Sequence, residues 1–353
     1  MRTIGLMSVA HRPPPLIAAV AAIATVALIA PVVTSCSSGS STADSVPTAP
    51  SASSAVPGTA GATSAISSAP ASISAVDVTI AATSSTVAAT TTTVPTAAAI
   101  AAEITAAERG IRDTTLSVAA VAELGRRQQR AYRLLARNPD LDGAVLALIP
   151  ADVATAYAFN VAARQAVVDH AAGSPPSTPS PTLPAWTIVE PRPIDELLAD
   201  YREAEALTGV SWTYLAAINL VETRMGRISG ASSAGALGPM QFLPETWAAC
   251  CTGDINDPHD AIIGAATYLA QQGAPADMHA ALYGYNPNEG YVGAVTAYAA
   301  NLAADPLAYR GYHAWEVYVG SVAGTVRLPI GYRADEPLDA ATYVREHPED
   351  VIG

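Results

Sequence analysis

The sequence predicts an all-α protein: a helical domain preceded by a small helical region and a disordered tether. Three observations carry this. Apolar residues recur at helical spacing from about 97 to 170 and again from 194 to 303, and no strand-like alternation of any length interrupts the second stretch. Residues 37 to 95 are almost entirely Ser, Thr, Ala, Pro, Gly and Val, with no aromatic residue. Such a segment cannot bury enough apolar surface to offset its ordering entropy.

From the N-terminus, Arg2, His11 and Arg12 precede an apolar run from Pro15 to Val33, the pattern of an export signal rather than a fold element. The run ends in Val33-Thr34-Ser35-Cys36, which resembles the bacterial lipoprotein cleavage box, in which the cysteine is lipidated. Residues 1–35 are thus expected to be a lipoprotein signal peptide and Cys36 a lipid anchor. An ordinary signal peptide or an uncleaved anchor helix are the alternatives, and all three place the remainder outside the cytoplasm. Residues 36–95 form the tether, whose flexible coil reaches roughly 45 Å at about 5–6 Å times the square root of its length.

The helical region, 96–172, carries Val121, Leu124, Tyr132 and Leu135 on one helix face, with Gln128 interrupting it. Val153, Tyr157, Val161 and Val168 mark a second helix after Pro150. Arg126, Arg127, Arg130, Arg133 and Arg137 make the first helix locally basic, which reads as a solvated face before it reads as a binding surface. A Pro-rich linker, 173–193, marks a domain boundary. Within 194–303, Leu197, Tyr201, Ala204 and Leu207 line one side of a helix stopped by Gly209, and Ser211 can cap the next. Asp257-Pro258-His259-Asp260 suits a helix start, with Asp at the cap and Pro at the first position. Tyr291, Val295, Tyr298 and Leu302 define a last helix, and a C-terminal extension, 304–353, is expected to pack on the domain.

Charge and cysteine content exclude several classes of function. The formal net charge is −13, and all 18 cations are arginine, so no P-loop lysine or Schiff-base lysine exists. An acidic surface also argues against nucleic acid, whose affinity depends on neutralising phosphates. Beyond Cys36 the thiols are the neighbours Cys250 and Cys251, which cannot build a zinc site and can be free or joined to each other. Asp254, Asn256 and Asp257 lack the alternating spacing and central glycine of a calcium loop. No metal and no cofactor is expected, and a monomer is expected.

Chemistry concentrates around Glu222. On a helix from Ser211 to Met225, Leu215, Ile218, Asn219 and Met225 share its face, so the carboxyl lies in apolar surroundings. Burial disfavours its charged form, raises its pKa and lets it hold a proton near neutral pH, as a general acid must. Gly235, Gly238 and Pro239 then fix a compact turn, with Met240 as an apolar wall and Gln241 as an amide for an acetamido sugar. Ser232 and Ser233 offer hydroxyls, and Ala281-Leu282-Tyr283-Gly284-Tyr285-Asn286 supplies the aromatic and amide groups that suit a sugar groove.

In this order the three elements resemble the lysozyme-like lytic transglycosylases that cleave bacterial peptidoglycan. The run Gly238-Pro239-Met240-Gln241-Phe242-Leu243-Pro244-Glu245-Thr246-Trp247 is most similar to the membrane-bound B-type branch and its actinobacterial relatives. The resemblance spans roughly 194–303 and implies a lysozyme-like helical fold. It also implies that Glu222 is the single catalytic acid/base, that Ser233, Met240, Gln241, Tyr285 and Asn286 contact substrate, and that peptidoglycan glycan strands are the partner. Pro287 departs from the small or polar residue usual after that asparagine. The implied reaction cleaves the MurNAc–GlcNAc β-1,4 bond and leaves a 1,6-anhydro ring. A muramidase of the same fold would need a second carboxylate; Asp254, Asp257, Asp260, Asp277 and Glu289 are the candidates, better explained as caps and loop acids. A non-catalytic wall-binding lipoprotein is the other alternative.

Overall fold

The computed structural model describes residues 95–172 and 178–352. The signal peptide, Cys36 and nearly all of the expected tether lie outside the described residues.

Four helices open the described chain. Thr96 caps α1 (Ala97–Arg112) by accepting from the Ala99 N–H, and Ser117 caps α2 (Val118–Arg137) in the same way through Ala120. With α3 (Asp142–Leu146) and α4 (Ala154–Ala172) they enclose a core of Ile100, Ile104, Tyr132, Leu135, Val145 and Tyr157. Gln128, which interrupts the apolar face of α2, is fully buried. It donates to Glu108 at 3.0 Å and accepts from the Trp315 indole at 2.9 Å.

Two short strands, β1 (Thr182–Leu183) and β2 (Thr187–Ile188), follow, and the described part of the Pro-rich stretch is built into the fold through them. α5 (Ile194–Thr208) ends at Gly209, whose φ of 76° supplies the left-handed cap. Leu197, Tyr201 and Ala204 are buried as expected, whereas Leu207 is 65% exposed: its position falls outside the stripe that faces the core. Ser211 caps α6 (Trp212–Thr223), whose residues are nearly all buried, as expected of a helix apolar on every side. β3 (Ile228–Ser229) pairs antiparallel with β2, a two-residue strand too short to be visible as alternation.

α7 (Pro244–Cys250) is followed by α8 (Pro258–Gln271), where Asp257 accepts from the Asp260 N–H and Pro258 takes the first turn. Asp277 caps α9 (Met278–Tyr285), and Asn288 caps α10 (Glu289–Ala304). The tail adds α11 (Ala308–Tyr312), an antiparallel hairpin of β4 (Val317–Ser321) and β5 (Gly324–Leu328), β6 (Leu338–Asp339), α12 (Ala340–Glu346) and β7 (Val351–Ile352). β7 completes a three-stranded sheet in the order β4-β5-β7, and β6 pairs with β1. Val317, Val319, Val326 and Leu328 give this tail its own small core.

Helices α4 and α10 lie in close contact. Ala163 meets Ala294 and Ala297, and a Cβ added to Gly293 would stand 2.6 Å from the Ala166 Cβ. Buried polar groups fasten the same joint. Glu108 accepts from Tyr132 at 2.8 Å and pairs with Arg112 at 2.6 Å, and Arg112 also reaches Asp305 at 2.6 Å. Tyr312 donates to Asn160 at 2.9 Å and accepts from Asn301 at 2.6 Å. Residues on both sides of the Pro-rich stretch therefore share one packed interior.

Candidate active site

Glu222 lies in the last turn of α6. The helix closes with a bond from the Met225 N–H to the Asn219 carbonyl, and Arg224, Met225 and Gly226 all have positive φ. Met225 therefore stands beyond the helix, buried against the core, and not on the helical face it would share with Glu222 had α6 continued. Leu215, Ile218 and Asn219 are fully buried around the helix as expected.

Asn219 and Thr223 clamp the glycine turn onto α6. The Asn219 amide donates to the Pro239 carbonyl at 2.8 Å and accepts from the Tyr201 hydroxyl at 2.6 Å. Thr223 donates to the same Pro239 carbonyl at 2.6 Å. Leu237 and Phe242 exchange both backbone bonds across the turn, at 2.8 and 2.9 Å. Gly238 has φ 73°, and a Cβ there would stand 1.9 Å from the Ile255 carbonyl oxygen, so no other residue fits.

The turn delivers its residues to different places. Gln241, itself at φ 53°, donates its side-chain amide to the Gly238 carbonyl at 2.9 Å, which fixes the side chain and leaves its carbonyl oxygen for another partner. The Met240 side chain is fully buried in the main core instead of forming an open wall, because the turn directs it inward beneath Phe242; its carbonyl accepts the Tyr285 hydroxyl at 2.6 Å. Ser232 accepts the Ala234 and Ala236 N–H groups and shapes the loop, while Ser233 stands exposed beside it, with no contact joining it to Glu222.

Tyr285 closes α9, with its ring parallel to that of Tyr291 at 6.5 Å and edge-on to Phe242 at 5.5 Å. Asn286 caps α9 and is buried, so Pro287 does not displace it into solvent. Both Glu222 oxygens, the Asn286 side-chain oxygen and the Tyr291 hydroxyl are buried without a hydrogen-bond partner. Buried polar atoms are ordinarily paired, so the Glu222 oxygens and the neighbouring Tyr291 hydroxyl, left without an acceptor or donor in hydrogen-bond geometry, mark a site whose partner arrives from outside. Tyr291 is the residue that sequence reasoning missed, since its spacing with Val295, Tyr298 and Leu302 reads as a core stripe.

Glu222 is 6% exposed, and this burial pushes its pKa up to about 8, against the lowering influence of the Tyr291 hydroxyl and the Arg224 charge. No carboxylate is among the groups that act on it. The acids weighed as water activators have other work. Asp257 and Asp277 cap helices, Asp260 accepts the Asp254 N–H, Asp254 accepts the Asn256 N–H, and Glu289 meets His279 at the surface. Asp257, His259 and Asp260 also come close enough to hold a cation, but two of these three carry the capping bonds of α8.

Residues 201–307 match the family model of the Transglycosylase SLT domain. The helical domain around Glu222 is a transglycosylase SLT domain. Glu222, the 238–242 turn, Tyr285, Asn286 and Tyr291 all fall inside the matched segment. Among curated proteins the chain is similar to the membrane-bound lytic murein transglycosylase F of Thiobacillus denitrificans, at 26% identity over 171 residues, 46% of this chain and 36% of the relative. The chain thus spans little more than a third of that relative's length. No solved structure matches the chain. The SLT segment excludes α1 to α4 and the β4–β5 hairpin, but Arg112 at the end of α1 is bonded to Asp305 within it, and Asn160 of α4 is linked through Tyr312 to Asn301.

Proposed function

We propose that the protein is a peptidoglycan lytic transglycosylase that cleaves the MurNAc–GlcNAc β-1,4 bond and forms 1,6-anhydroMurNAc. The observation that carries this reading is the buried Glu222, its pKa pushed up to about 8, with no second carboxylate acting on it. At neutral pH Glu222 holds a proton and gives it to the departing glycosidic oxygen. The substrate's N-acetyl group supports the developing cation, an exception to the two-carboxylate scheme. Glu222, now charged, takes the proton from the C6 hydroxyl as that oxygen closes on C1, and the acid is restored without water being consumed.

Supporting roles follow from the contacts. Tyr291 and Asn286 offer their unpartnered polar atoms to the sugar or to Glu222, Gln241 offers its amide oxygen, and Tyr285 holds the turn. Ser233 is retained as a substrate contact on the rim, where its exposure leaves it free to meet glycan. The relative's name, membrane-bound, supports an extracytoplasmic protein held at a membrane; the lipoprotein-like box at Val33–Cys36 supports Cys36 as its lipid anchor, and a monomer is the proposed working state. Among the described residues no helix is long and apolar enough to cross a membrane.

The test is the mass of the products from purified murein. Anhydro ends lack one water relative to reducing ends. Reducing ends alone would replace the transglycosylase by a muramidase, and intact murein would leave a wall-binding protein.

A further inference from the structure

Although the chain carries a net charge of −13, three arginines that are buried or half-buried, Arg133, Arg224 and Arg227, stand without a carboxylate in contact. Most described arginines meet a carboxylate, as Arg127 meets Glu103 at 2.6 Å and Arg327 meets Asp350 at 2.7 Å. Arg133, Arg224 and Arg227 make no ion pair among the described residues. Arg133 lies over the Tyr318 ring at 4.4 Å, and its Nε is buried with no acceptor. Arg224 turns back onto the Leu220 and Val221 carbonyls, and Arg227 donates to the Arg224 carbonyl at 3.2 Å. Glu190 and Glu316 act on Arg227 without contacting it, and Glu316 is engaged by the Tyr318 hydroxyl at 2.7 Å and by Arg327 at 3.6 Å.

Burial strains all three cations, and the pKa falls to about 10 for Arg133 and Arg227. Unpaired buried charge is costly, and stability alone would favour neutral side chains here. Arg133 and Arg224 nonetheless stay partly exposed, so a ligand can reach them. The location is informative. Arg224 follows Glu222 by two residues, and Arg133 and Arg224 both act on Tyr298. Tyr298 lies two turns along α10 from Tyr291, on the same face and about 10 Å away at 1.5 Å per residue.

We propose that Arg133 and Arg224, with the buried Arg227 adding its charge, form an anion-binding strip beside the Glu222 site, which takes the carboxylates of peptide stems carried on the glycan. This rests on the peptidoglycan reading above, and it assigns α2, outside the SLT segment, a part in substrate recognition. The guanidinium fork matches a carboxylate in shape and charge.

The test uses the full-length chain carrying Glu222→Gln, so that strands are bound and not cut. Glycan strands of equal length, with stems intact or removed by an amidase, are titrated against it. Stem-bearing strands should bind about tenfold tighter, one charge-assisted contact's worth. Adding Arg133→Met should bring that ratio close to one, and Arg133→Lys should keep most of it. Equal affinity for both strands, or a ratio that Arg133→Met leaves unchanged, would overturn the strip alone. Failure to bind either strand would overturn the peptidoglycan reading and the strip together.

Discussion

Tyr285 donates its hydroxyl to the Met240 carbonyl at 2.6 Å, and that one bond ties the end of α9 to the glycine turn clamped on α6. Three separate chain segments around Glu222 are thereby held in register. Tyr285→Phe removes the bond and leaves the Met240 carbonyl without this donor. It should cost about 1 kcal/mol of stability and lower kcat more than it raises KM, as steady-state kinetics on soluble glycan strands would record.

Glu222→Gln should abolish turnover while glycan binding persists. The same variant has a stability signature. Burial pushes the folded pKa of Glu222 up to about 8, against 4.5 for the free carboxyl, so the folded state holds the proton more tightly. The stabilisation is fully present below about pH 4.5 and is lost as pH rises through 8. Wild type should therefore lose a few kcal/mol relative to Glu222→Gln across that window, at 1.36 kcal/mol per pKa unit. Denaturant unfolding at a series of pH values measures it, and parallel curves would contradict the burial argument.

The same pKa sets an alkaline limb for activity. Above about pH 8 Glu222 lacks its proton, and kcat/KM should fall tenfold per pH unit. A profile flat to pH 9 would assign the acid elsewhere.

Gly238→Ala should be severely destabilising, by about 3 kcal/mol or more. The new Cβ would collide with the Ile255 carbonyl at a backbone angle of φ 73°. Thermal unfolding tests this, with Gly143→Ala as the contrast, since a Cβ there meets nothing within 4 Å.

Deleting residues 96–172 should prevent cooperative folding. The cut removes Gln128, Asn160 and Arg112, so Trp315 and Tyr312 each lose a hydrogen bond in the interior and Asp305 loses its cation. Leaving a buried donor or acceptor without its partner costs about 1–3 kcal/mol each, and the apolar faces uncovered by the loss of α1 to α4 add to it. A sharp unfolding transition in the truncated protein would show the region to be dispensable.

Much of the site was legible because its signals are local. Glu222 in an apolar helix, the Gly-Pro turn and the Tyr-Asn pair each occupy a few consecutive residues, and the helix caps at Ser211, Asp257 and Gly209 depend on immediate neighbours. Tyr291 was hidden because a helical stripe looks the same whether its first ring faces a core or an acid. Met225 was misplaced because nothing local announces that α6 turns left-handed at an arginine. The Gln128–Trp315 and Asn160–Tyr312 bonds join residues more than 150 positions apart, beyond any periodicity. The hairpin of β4 and β5 carries readable alternation, but each strand is five residues long.

The tight seat of α4 on α10 has a mechanical meaning. Tyr291 is in the first turn of α10, Ala294 and Ala297 on the same helix are gripped by α4, and Arg112 at the end of α1 is bonded to Asp305 just past the far end of α10. The cutting edge and the handle are thus one solid piece. A pull on the chain where it enters α1 is carried to Glu222 and Tyr291 together, as a force on a fixed shank reaches its blade.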